Sequence, residues 1–127
     1  MSRRRHRLEP DGPVRPDEFQ LQPFFDEATW KRGEDYQRRG RVFDLEMEDD
    51  EIGTALTAEV QGTAGARYRV NVALIAVGGE INLFSECDCP VGALCKHAVA
   101  ALLQALRRGW FDEAGAPPPS VAQPSLS

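Results

Sequence analysis

Apolar and polar positions alternate in short, well-separated stretches through the middle of this chain, and the period changes near its end. Phe43, Leu45 and Met47 alternate with Asp44, Glu46 and Glu48, the pattern of a strand with one wet face. Asp49-Asp50-Glu51 is a turn whose charges repel continuation. Leu56, Ala58 and Val60 alternate with Thr57 and Glu59, and Gly62 to Gly65 break that second strand. The clearest alternation sets Tyr68, Val70, Val72 and Leu74 against Arg67, Arg69 and Asn71. Gly78-Gly79 is a hairpin signal, and Ile81 and Leu83 open the return strand. About four strands so spaced predict one antiparallel meander. Ahead of them, Asp26 or Thr29 can cap a helix that runs to Arg38 or Arg39, with Gly40 placed for the left-handed residue at its end. Trp30 and Tyr36 supply the buried face of that helix, and Gly33 within it implies a close neighbour. From Ala98 the period becomes helical: Ala98, Val99, Leu102, Leu103 and Leu106 share a face, with Arg107, Arg108 and Gly109 closing the helix. Trp110 and Phe111 are placed to fold back on the core.

These elements predict an α+β fold: an N-terminal helix, a small antiparallel sheet of about four strands, and a cysteine-rich knuckle leading into a C-terminal helix. The predicted domain spans residues 24–111, with Phe24 and Phe25 as its first core residues. Residues 1–23, rich in Arg and Pro, read as a disordered basic tail, and 112–127, rich in Pro and Ser, as a flexible tail or linker. The chain of 127 residues is one domain's length, and a core this small favours an additional staple. No apolar run is long enough to cross a membrane, and the basic start lacks the apolar stretch of a secretory signal, so a cytoplasmic protein is expected.

The staple is visible in Cys87-Asp-Cys-Pro-Val-Gly-Ala-Leu-Cys-Lys-His97. All three cysteines and one of the two histidines fall in this window, spaced C-x-C-x5-C-x-H. Three thiolates and one imidazole are a standard tetrahedral set for structural zinc. Cys87 and Cys89 leave the end of a strand on the same side, Pro90 and Gly92 turn the chain, and Cys95 and His97 arrive at a helix start. Backbone N–H groups and the helix dipole there favour a thiolate and a neutral imidazole. Lys96 is placed to offset the site's net negative charge. Other readings fit less well. Asp88 and Lys96, interleaved with the ligands, argue against cysteines that merely fill a core. Cys87 and Cys89 are too close for a relaxed disulfide, and any other pairing strands one thiol. Iron–sulfur clusters usually want four thiolates. A catalytic zinc keeps an open position, and four candidate ligands close it.

C-x-C-x(n)-C-x-H before an Ala/Leu-rich helix resembles the SWIM-type zinc finger. Arg32-Gly33, Tyr36, Gly40 and Val42 look like the helix-to-strand opening of bacterial SWIM proteins, and Cys95-Lys-His-Ala-Val-Ala-Ala-Leu-Leu103 looks like their ending. The resemblance covers roughly residues 24–108 and implies Cys87, Cys89, Cys95 and His97 as ligands of one structural zinc. It also implies association with Swi/Snf-like helicases or Mutator-type transposases, through DNA or protein. The gap of five residues between Cys89 and Cys95 is short for the family, and no ATPase motor follows in this sequence.

Charge then orders the partners. Fifteen basic residues against twenty acidic ones give −5, which excludes a nucleic-acid binder whose whole surface is basic. A local patch of Arg32, Arg38, Arg39, Arg41 and Lys96, helped by the Arg3–Arg7 stretch, is the candidate for weak, non-specific DNA contact. Glu34 and Asp35 partly neutralise it, and the acidic run Asp44–Glu51 repels a duplex. Trp30, Tyr36 and Tyr68 have the spacing of core aromatics rather than of base-stacking platforms. No Ser/His/Asp set, phosphate-cradling loop or carboxylate pair stands out, so neither catalysis nor a small-molecule substrate is expected. Protein docking through the zinc knuckle and N-terminal helix is the leading expectation, with DNA binding beside a helicase as the alternative.

Overall fold

The computed structural model describes residues 9–112, and both ends of the chain, including the Arg3–Arg7 stretch and the predicted C-terminal tail beyond Asp112, lie outside them. A one-turn helix α1 (Glu18–Leu21) is closed by a capping box. Gln20 N–H donates to Asp17 Oδ1 at 2.8 Å, and Asp17 N–H donates to Gln20 Oε1 at 2.9 Å. A 3-10 turn over Gln22–Phe24 leads to α2 (Glu27–Arg38), where Asp26 Oδ1 accepts from Thr29 N–H at 2.8 Å. Gly40 follows at φ 71°, the conformation that stops α2.

Four strands follow: β1 (Val42–Asp49), β2 (Thr54–Gln61), β3 (Arg67–Val77) and β4 (Glu80–Cys87). They pair antiparallel in the order β1-β2-β3-β4, the predicted meander. Gly78 and Gly79, both at positive φ, close the β3–β4 hairpin. The last helix, α3 (Lys96–Arg107), lies across one face of the sheet, and α2 packs on α3.

α3 is therefore enclosed on two sides. Ala100, Ala101 and Ala105 are buried together with the predicted Ala98, Val99, Leu102 and Leu103, while Leu106 is only half-buried. A single stripe was expected; a helix sandwiched between a sheet and another helix buries nearly its whole circumference. Phe111 returns to the core as predicted.

β1 departs from simple alternation. A bulge between Phe43 and Glu46, with Asp44 at φ 52°, shifts the register, so Val42, Leu45 and Met47 form the buried set. Phe43 is carried to the opposite face, where the Arg67 guanidinium lies 4.2 Å over its ring. The alternation Phe43-Leu45-Met47 conceals the extra residue.

The expected disordered tail over residues 1–23 is corrected where it is described. Val14, Pro16 and Leu21 are buried, ahead of the predicted first core residues. Asp11 accepts from the Gly78 and Gly79 N–H groups at 3.0 and 2.7 Å and so ties this segment to the β3–β4 turn. Val14 N–H donates to Thr54 Oγ1 at 2.8 Å, and Thr54 Oγ1 donates to Asp49 Oδ1 at 2.7 Å. Arg15 Nη2 meets Asp49 Oδ2 at 2.6 Å. These are isolated long-range contacts with no helical or strand period, so composition alone read the segment as loose.

The hydrogen bond from Arg15, against the cost of burial, holds the Asp49 carboxyl below its ordinary value of 3.8, with Thr54 assisting. A carboxyl depressed in the folded state adds stability that is present above the ordinary value and disappears as pH falls through the folded one. Asp49→Asn is therefore expected to cost about 1–3 kcal/mol at pH 7. The wild-type advantage shrinks toward zero as urea unfolding is repeated from pH 7 down to pH 3. A difference independent of pH would dissociate Asp49 from acid stability.

Candidate metal centre

β3, β4 and α3 together build a polar site at the apolar core. β4 ends at Cys87, whose register partner on β3 is Val70. Beyond it the chain turns sharply. Cys87 N–H donates to the Gly92 carbonyl at 2.8 Å, Asp88 N–H donates to the Arg69 carbonyl at 3.2 Å, and Gly92 sits at φ 86°. Cys95 is then the N-cap of α3, and His97 lies in its first turn. Cys87, Cys89, Cys95 and His97 place their ligand atoms within 4.8 Å of one another. His97 Nδ1 lies 3.6 Å from Cys87 Sγ and 3.7 Å from Cys95 Sγ. A zinc ion with Zn–S of about 2.3 Å and Zn–N of about 2.0–2.1 Å at tetrahedral angles would separate sulfur and nitrogen by about 3.6 Å. The three cysteines form no disulfide. Donor types and spacing thus fit one structural zinc, and Cys87, Cys89, Cys95 and His97, the residues the spacing predicted, are those that could hold it.

The electrostatics differ in detail from the helix-dipole expectation. Burial pushes the Cys87 thiol strongly up, against a backbone N–H from Cys89. Burial likewise raises Cys95 despite the Ala98 N–H at the start of α3. Cys89 moves the other way: burial opposes ionisation, but the N–H groups of Gly92 and Val91 and the Cys87 thiol outweigh it. His97 is held down to about 4, first by burial and then by the Lys96 charge, so its ring is neutral and ready to bind metal.

Two tyrosines fix that ring. Tyr68 stacks on His97 with centroids 4.8 Å apart, and Tyr36 meets it edge-on at 5.5 Å. His97 is only 2 % exposed, and its Nε2 has no hydrogen-bond partner among the described residues. Orientation therefore comes from aromatic packing rather than from the polar partner that metal-bound histidines usually have. The sequence left these tyrosines in the general core. Tyr68 opens the β3 alternation that runs through Val70, opposite Cys87, which was the available signal.

The SWIM zinc finger family model matches residues 68–106, from the stacking tyrosine of β3 to the last turn of α3. That segment is similar to a SWIM zinc finger, and it contains the Cys/Cys/Cys/His cluster. The four ligands lie inside the matched segment, and α2, β1 and β2 extend the fold around it. No curated protein and no solved structure matches the chain.

The five basic candidates do not form one free patch around the cluster. Arg32 and Arg38 are exposed on α2. Arg39 pairs with Asp35 at 3.0 Å. The Arg41 guanidinium donates to the Gly62 carbonyl at 2.9 Å and lies 5.2 Å over the Tyr36 ring. Lys96 approaches the same ring at 5.8 Å. Tyr36 thus brings Arg41 and Lys96 together, and Arg41 spends part of its donor capacity inside the fold. Among the described residues no helix is long and apolar enough to cross a membrane.

Proposed function

We propose that this chain is a non-catalytic, zinc-stapled interaction module that docks onto a protein assembly. A Swi/Snf-like helicase is the partner class that its similarity to SWIM zinc fingers suggests. The closed donor set carries this reading: four ligands converge on one point, leaving no position at which a metal would activate water or substrate. Zinc here supplies fold energy and holds the knuckle in shape. Three unpaired thiols committed to a metal suit the reducing cytoplasm.

Protein is favoured over nucleic acid because the candidate arginines are partly consumed. Arg39 is paired with Asp35, Arg67 and Arg69 both meet Glu59, and Arg41 binds carbonyls. Fluorescence anisotropy of the zinc-loaded chain with single- and double-stranded oligonucleotides is expected to show weak binding, indifferent to sequence. A patch making about five phosphate contacts would give a log–log salt slope near −4 to −5. Sub-micromolar affinity that persists at physiological salt and is lost in Arg38→Ala/Arg39→Ala would replace this reading with DNA binding as the primary function.

A further inference from the structure

The face of the sheet turned away from α3 is covered by no described element, and it is neither uniformly polar nor neutral. Register places Ala55, Ala73 and Phe84 side by side across β2, β3 and β4. Phe84 is 58 % exposed, and Leu94 from the knuckle, 41 % exposed, joins it at an open groove of about 610 Å³. The two alanines leave room between Phe84 and the strands beyond, and exposed Ile52 extends the apolar surface past Ala55 and Ala73.

Leu94 is held there at a cost. It adopts φ 47°, a left-handed conformation that a leucine avoids by about 1–2 kcal/mol, and its N–H donates to Ser85 Oγ at 2.7 Å. The zinc knuckle thus presents an exposed apolar side chain in a strained conformation, immediately before the ligand Cys95.

The rim is acidic. Glu48 lies opposite Ala55, Glu46 opposite Thr57, and Glu86 opposite Asn71, so carboxylates flank the apolar row on both sides. None of the three pairs with a cation among the described residues, whereas Arg67 and Arg69 on the same face are tied to Glu59. An apolar floor between unpaired carboxylates complements an apolar side chain carried between basic ones, and it repels a phosphate backbone.

We propose that this groove is the docking surface for a protein segment with apolar anchors flanked by lysine or arginine. The proposal rests on the docking reading above and moves the contact from α2 to the outer face of the sheet. Apolar anchors fill the space beside Phe84 and Leu94, and Glu46, Glu48 and Glu86 set the register through charge.

The test uses the full zinc-loaded chain and three dye-labelled synthetic peptides of equal length: alternating lysine and leucine, lysine and serine, and glutamate and leucine. The lysine–leucine peptide is expected to bind at least about tenfold more tightly than either control. Backbone NMR shifts should map to Ala55, Ala73, Phe84 and Leu94. Phe84→Ser should weaken binding about tenfold without altering the melting curve, since that ring is mostly in water. Leu94→Gly should weaken binding while leaving stability equal or higher, because it removes an anchor and relieves the left-handed strain. Equal binding of the lysine–serine peptide, or indifference to both substitutions, overturns the groove. Shifts confined to α2 overturn the groove and leave protein docking standing. An oligonucleotide bound in place of every peptide overturns both. Concentration-dependent dimerisation abolished by Phe84→Ser would assign the face to a second copy of the chain, also against the proposal.

Discussion

Cys95→Ser, or removal of zinc by a chelator, lowers the melting temperature by roughly 15 °C or more. Cys95 caps α3, Cys87 ends β4, and the metal is the tie between them. A ligand present at about a thousand times its Kd adds about 4 kcal/mol, and each kcal/mol moves the midpoint of a domain this size by about 4–8 °C. Without the metal, burial drives Cys87 to its neutral thiol, and no ion joins the sulfurs of the knuckle to the His97 Nδ1 that faces them. Damage should concentrate in α3 and the knuckle. Hydrogen exchange should show loss of protection at Ala98–Leu103, with the paired centres of β2 and β3, from Leu56 to Leu74, protected longer. Zinc-edge absorption of the intact protein should report one metal with three sulfurs and one nitrogen. An unchanged melting curve, with the zinc shown to be gone, would make the cluster ornamental to the fold.

The convergence of Cys87, Cys89, Cys95 and His97 was legible because chemistry and spacing coincide in one short window, and because local strand and helix geometry settles where C-x-C and C-x-H side chains point. The meander was legible for a similar reason: Tyr68-Val70-Val72-Leu74 and the Gly78-Gly79 turn are local signals. What escaped depends on tertiary contacts. The bulge at Asp44 appears only when Val42 pairs with Val60 while Glu46 pairs with Thr57. The segment from Asp11 to Pro16 has no period because it is held by Thr54, Asp49 and the hairpin amides, residues distant in sequence. The lowering of Cys89 depends on how the Val91 and Gly92 amides point within the knuckle, which residue identity leaves open. Tyr68 reaches His97 from β3 and Tyr36 reaches it from α2, and only their convergence reveals that they pack against its ring.

Gly33→Ala is expected to destabilise the chain, although alanine is the better helix former. Gly33 is buried in the middle of α2, where α2 crosses the first turn of α3. An added methyl would overlap the Val99 side chain and lie 2.9 Å from the Lys96 carbonyl oxygen. Val99 is fully buried, and the Lys96 carbonyl is helix backbone, so neither yields cheaply. Overpacking of this kind costs about 1–3 kcal/mol, and the helix-propensity gain of at most about 1 kcal/mol recovers part of it. The net loss falls on the interface that presses α2 against the turn carrying Lys96 and His97, so zinc affinity should decline along with the melting temperature. Val99→Ala alone leaves a cavity and costs about 1–2 kcal/mol. In the double variant the new methyl occupies that space, and the combined loss should fall short of the sum by about 1 kcal/mol or more. Urea unfolding of the four proteins gives this coupling directly. Strict additivity, or a Gly33→Ala variant more stable than the wild type, would show that the helices have room to spare at Gly33.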